Sequence, residues 1–151
     1  MKKLLLVVFI GLFLVGYVLA AGGTADEAKA MVQKAVAFIK ANGNEKAFAE
    51  FNNNKGQFVD RDLYIWVADL KDSAKCLAHG ANSKLIGQSL IDFKDTDGKL
   101  FIKEIVDLAN SKGSGWIDYK WTNPTTKNID RKSVYFEKLN TLVVVCGFYK
   151  S

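Results

Sequence analysis

The residues best placed to do chemistry lie between Ser114 and Tyr135. Ser114-Gly115-Trp116-Ile117-Asp118-Tyr119-Lys120-Trp121-Thr122-Asn123-Pro124 leads on to Lys132-Ser133-Val134-Tyr135, two β-rich runs around a loop that carries the chain's one proline. Alternate side chains of a strand share a face, so Ile117, Tyr119 and Trp121 point together. A phenol and an indole side by side on a concave sheet can enclose a small molecule while offering it an O–H and an N–H. An ammonium from Lys132 would complete a site for a small anion. An unpaired buried ammonium is costly, and a carboxylate ligand would supply the missing counter-charge. Lys132 and Tyr135 are three residues apart and point to opposite faces of a regular strand. Both reach one ligand only if Lys132 precedes the strand proper or sits at a bulge. Lys138 is the substitute cation.

Three more residues are candidates for the same site. His79 is the only histidine in the chain; it is either a ligand contact or a hydrogen-bonded turn residue. Tyr64 and Trp66 share one face of an earlier run and face either the pocket or a covering helix. Other chemistry has little to stand on. Cys76-Leu77-Ala78-His79 lacks the second cysteine of a haem attachment site, and no second histidine partners His79 in a metal site. Gly113-Ser114-Gly115 is not a nucleophile elbow, and there is no Gly-rich phosphate loop. Residues 93–104 approach the spacing of a calcium loop, with Asp95, Asp97, Gly98 and Glu104 in register. Phe93 stands where the first carboxylate is needed, so the stretch reads as a turn with Asp97 capping the next helix. The chain therefore reads as a binding module without catalytic residues, cofactor or metal. The alternative is a thiol- or metal-dependent redox or enzymatic module using Cys76, Cys146 or His79. A third reading is a structural partner domain whose pocket is filled by its own side chains.

The elements that must position these groups follow from patterning. Thr24-Ala25-Asp26-Glu27 is a capping box, and Ala28, Met31, Val32, Ala35, Phe38 and Ile39 recur at helical spacing up to a stop at Gly43. A short helix follows over residues 45–51. Residues 64–70 and 75–81 read as strands joined by the tight turn Lys71-Asp72-Ser73, hence an antiparallel hairpin. After an irregular stretch, 87–94, a helix with Phe101, Ile105, Leu108 and Ala109 on its apolar face ends at Gly113. Strands over 115–122, 132–139 and 141–149 close the chain, the last two around a hairpin turn at Leu139-Asn140-Thr141. Short turns between strands mean an antiparallel sheet, and the leading helix must cover one of its faces.

The start of the chain is set apart. Lys2 and Lys3 precede an uncharged apolar run over residues 4–18, and Val18-Leu19-Ala20 offers small residues for a signal peptidase. Residues 1–21 are read as a signal peptide cleaved after Ala20 or Ala21, with an uncleaved membrane anchor as the alternative. Residues 22–151 then form one domain in an exported, periplasmic protein. The net charge of +5 falls to +3 once Lys2 and Lys3 are removed. The charge is mild and scattered, which argues against a nucleic-acid partner. Export permits a disulfide between Cys76 and Cys146, and two buried free thiols are the other reading.

The ordered set of short words resembles the single Cache domain, type 2, an extracytoplasmic relative of the PAS fold. The matching pieces are Tyr64-Ile65-Trp66-Val67-Ala68-Asp69, Leu77-Ala78-His79-Gly80, Leu85-Ile86-Gly87-Gln88-Ser89-Leu90, Asp97-Gly98-Lys99 and Gly113-Ser114-Gly115. Tyr119-Lys120-Trp121, Pro124, Lys132-Ser133-Val134-Tyr135 and Gly147-Phe148-Tyr149 complete it. The resemblance implies an α+β fold: a curved five-stranded antiparallel sheet with a long N-terminal helix and a crossover helix. It implies a sensor for short organic anions such as acetate, propionate, pyruvate or lactate, bound between the sheet and the connection over residues 81–99. Ligand contacts would come from Tyr119, Trp121, Lys132, Tyr135, His79, Tyr64 and Trp66. No output domain follows in this chain, so the expected partner is a separate membrane receptor. The first helix is expected to pair two copies as a homodimer.

Overall fold

The computed structural model describes residues 22–150. The expected signal segment over residues 1–21 lies outside the described residues. Helix α1 (Ala25–Asn42) begins with the expected capping box: the Glu27 N–H donates to Thr24 Oγ1 at 3.3 Å and the Thr24 N–H donates to Glu27 Oε2 at 2.8 Å. It buries Ala28, Val32, Ala35, Val36 and Ile39, the stripe its periodicity requires. Gly43 separates it from α2 (Asn44–Phe51).

The strands are β1 (Val59–Asp60), β2 (Leu63–Asp69), β3 (Lys75–His79), β4 (Ser114–Thr122), β5 (Ile129–Leu139) and β6 (Leu142–Tyr149). They form one open antiparallel sheet in which β2 pairs with β6, β6 with β5, and β5 with β4, while β3 pairs with β2 at the other edge. This is the expected five-stranded layer with one addition. The two-residue β1 folds back on β2 through a turn at Arg61, whose φ is 58°. Two residues are too short a run to carry a strand signal in the sequence; the tight turn at Arg61 brings them back onto β2.

Helix α3 (Phe101–Lys112) belongs to the long connection that crosses from the β3 edge to the β4 edge. Its expected cap is corrected. No side chain caps α3, and Asp97 instead pairs with Lys120 at 2.8 Å. Asp95 organises this loop: its Oδ1 accepts from the Asp97 and Lys99 amides, and its Oδ2 accepts from the Lys120 amide on edge strand β4. The competing partner for both aspartates is β4, which sequence spacing does not reveal.

Period-two alternation splits the core. Leu63, Ile65, Val67, Tyr135, Val144 and Cys146 pack with α1 and α2 on one face. Tyr64, Trp66, Ala68, Cys76, Tyr119, Val134, Phe136 and Val145 pack with α3 and its leading loop on the other. Both cysteines are free and buried, one on each face.

Candidate functional site

β5 begins at Ile129, three residues earlier than expected, and pairs without interruption with β4 and β6 through Lys132. Lys132 is therefore neither ahead of the strand nor at a bulge. Regular alternation sends it to the α3 face with Val134 and Phe136, while Tyr135 faces α1. The structure does not bring the two together. Tyr135 lies under the Lys29 ammonium, 5.4 Å from its ring centroid, and its hydroxyl donates to Glu137.

Register builds the rest. Lys132 is the direct neighbour of Tyr119 on β4 and of Tyr149 on β6. Its stem crosses over Gly147, where an added Cβ would stand 2.8 Å from Lys132 Cε and 2.5 Å from Val134 Cγ1. Only a residue with no side chain leaves that passage open. The ammonium arrives on β2, where Nζ donates to Tyr64 Oη at 2.7 Å and lies 3.9 Å from the Tyr64 ring centroid and 4.9 Å from that of Tyr149. The Tyr149 hydroxyl donates to the Thr122 carbonyl at 2.6 Å.

This ammonium is 1% exposed. Among the described residues no carboxylate forms an ion pair with it; Asp62 acts on it through space, and desolvation pushes its pKa down to about 7. Asp62, itself buried, is held elsewhere: it accepts from the Gly23 amide at 2.6 Å and the Tyr149 amide at 3.3 Å. His79 sits 5.0 Å from Tyr64, ring to ring. Its Nδ1 accepts from the Ala81 and Asn82 amides, which leaves Nε2 as the N–H donor. Burial, and then the charge of Lys132, lower its pKa to about 3, so it is a neutral donor at physiological pH. Burial also raises the Tyr64 and Tyr119 phenols well above their ordinary value, keeping both as O–H groups.

Tyr64, Trp66, His79, Tyr119 and Trp121 line one hollow, closed from the α3 side by Leu85, Leu90, Phe93, Phe101 and Ile102. The space open to a water-sized molecule is about 20 Å³, room for about one water. Lys132 stands behind Tyr64 rather than on this wall. Five of the seven sequence-derived residues thus meet around the hollow, Lys132 adjoins it, and Tyr135 lies away from it. Sequence reasoning missed Phe101 as a wall residue and Tyr149 as the second ring against the ammonium. Alternation from Val143 and Val145 places Tyr149 on the right face, but its pairing with Lys132 needs the β5–β6 register. The thiol- and metal-based alternative gains no support. Burial pushes Cys76 up to about 11 and Cys146 up to about 12, away from the reactive thiolate. Among the described residues no three His, Cys, Asp or Glu side chains are grouped to hold a metal ion.

A sheet of this order, covered by a long helix on one face and enclosing an aromatic hollow on the other, is the α+β architecture of a PAS-like domain. The family profile of single Cache domain 2 matches residues 16–151, and the chain belongs to that family, whose members bind ligands. Among curated proteins it is 35% identical over 78 residues to the methyl-accepting chemotaxis protein McpP of Pseudomonas putida. That match takes in 52% of this chain and 14% of the relative, so the chain spans about one seventh of that receptor. Among solved structures it superposes on a Cache chemosensory domain studied for carboxylic acid recognition, with TM-score 0.69, 26% identity, and coverage of 83% of this chain and 92% of the other. It also superposes on a methyl-accepting chemotaxis protein from Vibrio parahaemolyticus, with TM-score 0.69, 26% identity, and coverage of 82% and 86%. A periplasmic sensor domain of a chemotaxis protein matches with TM-score 0.65 and 25% identity, covering 83% and 90%. Among the described residues no helix is long and apolar enough to cross a membrane.

Proposed function

We propose that this domain is an exported sensor of short organic anions, with two- and three-carbon carboxylates as its ligand class. The observation that carries the proposal is the Lys132 ammonium: buried, without an ion-pair partner among the described residues, and hydrogen-bonded to Tyr64, a wall residue of the aromatic hollow. A carboxylate would provide the counter-charge that the described residues do not supply, forming a hydrogen bond between opposite charges that is stronger than the one the ammonium makes to the uncharged Tyr64 hydroxyl. In this reading Tyr64, Tyr119 and His79 donate to the ligand, and Trp66 and Trp121 form the wall. Tyr135 is left out because it faces α1.

A space sized for one water does not admit an acid without movement. Ligand therefore displaces Tyr64 from Lys132 or lifts the connection over residues 80–100, and that displacement is the signal. Residues 1–21 would direct export or anchor the chain, a separate membrane receptor would read the displaced connection, and α1 would pair two copies. Recognition of carboxylic acids by a structural relative at 26% identity supports the ligand class. Calorimetric titration with acetate, propionate, pyruvate and lactate tests it. At least one acid should bind, and Lys132→Met should weaken that acid by about ten- to a hundredfold, the worth of a charged hydrogen bond. An absence of heat from all four, or affinity unchanged in the variant, would overturn the proposal.

A further inference from the structure

The hollow is chemically lopsided. The sheet side carries every polar group: Tyr64 backed by Lys132, His79 with Nε2–H, the Tyr119 hydroxyl, and the Trp66 and Trp121 indoles. The opposite side, Leu85, Leu90, Phe93, Phe101 and Ile102, has no polar side-chain atom. Phe101 dominates that side. It is the first residue of α3, 2% exposed, and its ring lies flat on Tyr119 with centroids 4.0 Å apart and planes at 12°. Its edge also meets Trp121 at 5.4 Å. The ring is thus clamped between two wall aromatics and helix α3, where it cannot turn aside as a lone rim residue could.

We infer that Phe101 is the length gate of the pocket: it restricts the ligand to monocarboxylates with a short tail and excludes dicarboxylates. This rests on the carboxylate reading above. The acid group goes to the Tyr64–Lys132 side, so the tail must end against Phe101. A longer tail meets a ring with no room to retreat. A second carboxylate would be buried against the hydrocarbon side chains of the α3 side, which offer it no cation.

The test compares wild type with Phe101→Ala and Phe101→Leu, titrated with acetate, propionate, butyrate and pentanoate, and with malonate and succinate. In wild type, affinity should fall by about tenfold or more at the first methylene beyond the limit. Phe101→Ala should move that limit out by at least one carbon, raising the butyrate-to-acetate affinity ratio about tenfold or more. Phe101→Leu should move it in the same direction by less, and it provides the reading if the alanine variant melts early. Malonate and succinate should remain weak in all three proteins, because enlarging the hollow adds no donor. A common rank order in all three proteins would overturn the gate. It would leave the carboxylate reading standing if Lys132→Met still weakens acetate or propionate binding by about tenfold or more. Tight succinate binding by wild type would also overturn it. A wild type that binds no acid at all would overturn the carboxylate reading and the gate together.

Discussion

The two faces of the sheet are built from the same strands and do opposite things. Against α1 and α2 the residues are mostly hydrocarbon and phenyl: Phe58 meets Phe38 and Phe51 edge to face, the latter at 4.6 Å and 83°, and Ile65, Val67 and Val144 belong to the same cluster. Against α3 the neighbouring positions of the same strands place Tyr64, Trp66, Tyr119, Tyr149 and the Lys132 ammonium. The first face gains free energy from the apolar area it buries. The second buries a charge that no described carboxylate pairs, which lowers stability. A fold can carry such a group on one face because the other supplies the surplus. The difference also makes register critical, since a one-residue slip of β5 would turn Lys132 to the α1 face and put Arg131 or Ser133 opposite Tyr119 and Tyr149.

The largest expected effect comes from damaging the stabilising face. Phe51→Ala should lower unfolding stability by about 3–5 kcal/mol, read by urea denaturation, while acid affinity stays within about a factor of two, because the site lies across the sheet. A large loss of affinity in a still-folded variant would mean that the faces are not separate.

Lys132→Met attacks the contrast from the other side and should move stability the opposite way. At pH 6 the variant should be more stable than wild type by about 1–4 kcal/mol. The gain should shrink as pH rises. The unfolded chain holds the lysine proton up to the ordinary value of 10.5, whereas the folded protein releases it near about 7. Between those values the unfolded state binds more protons, so wild-type stability climbs with pH toward that of the variant. A stability difference that does not change from pH 6 to pH 10 would show that burial of the charge is not the cost.

Much of this was legible beforehand, for identifiable reasons. The Thr24–Glu27 capping box and the alternation of Ile117, Tyr119 and Trp121 are local patterns that the structure reproduces. The opposite orientation of Lys132 and Tyr135 follows from strand geometry alone. The start of β5 was not legible, because Ile129, Asp130 and Arg131 gain their strand geometry by pairing with Thr122, Trp121 and Lys120. Asp62 sits in the polar run Asp60-Arg61-Asp62, which reads as an exposed turn. Its burial depends on Gly23 and Tyr149, which lie 39 and 87 residues away. Phe101 reads as ordinary helix core, and it is that as well; its second role comes from where β4 places Tyr119 and Trp121. Gly147 has no sequence signal beyond being glycine, since its reason is the Lys132 stem passing over it.

The central claim is that ligand binding turns an uncompensated buried lysine into a paired one. It is tested most directly by the pH dependence of affinity for the tightest-binding short acid, measured from pH 6 to pH 9 in buffers of differing ionisation enthalpy. With Lys132 losing its proton near about 7 in the free protein, affinity should be level below that point and fall by about tenfold per pH unit above it. Each binding event should then take up close to one proton. Affinity that is flat across the range, with no proton taken up, would contradict the account.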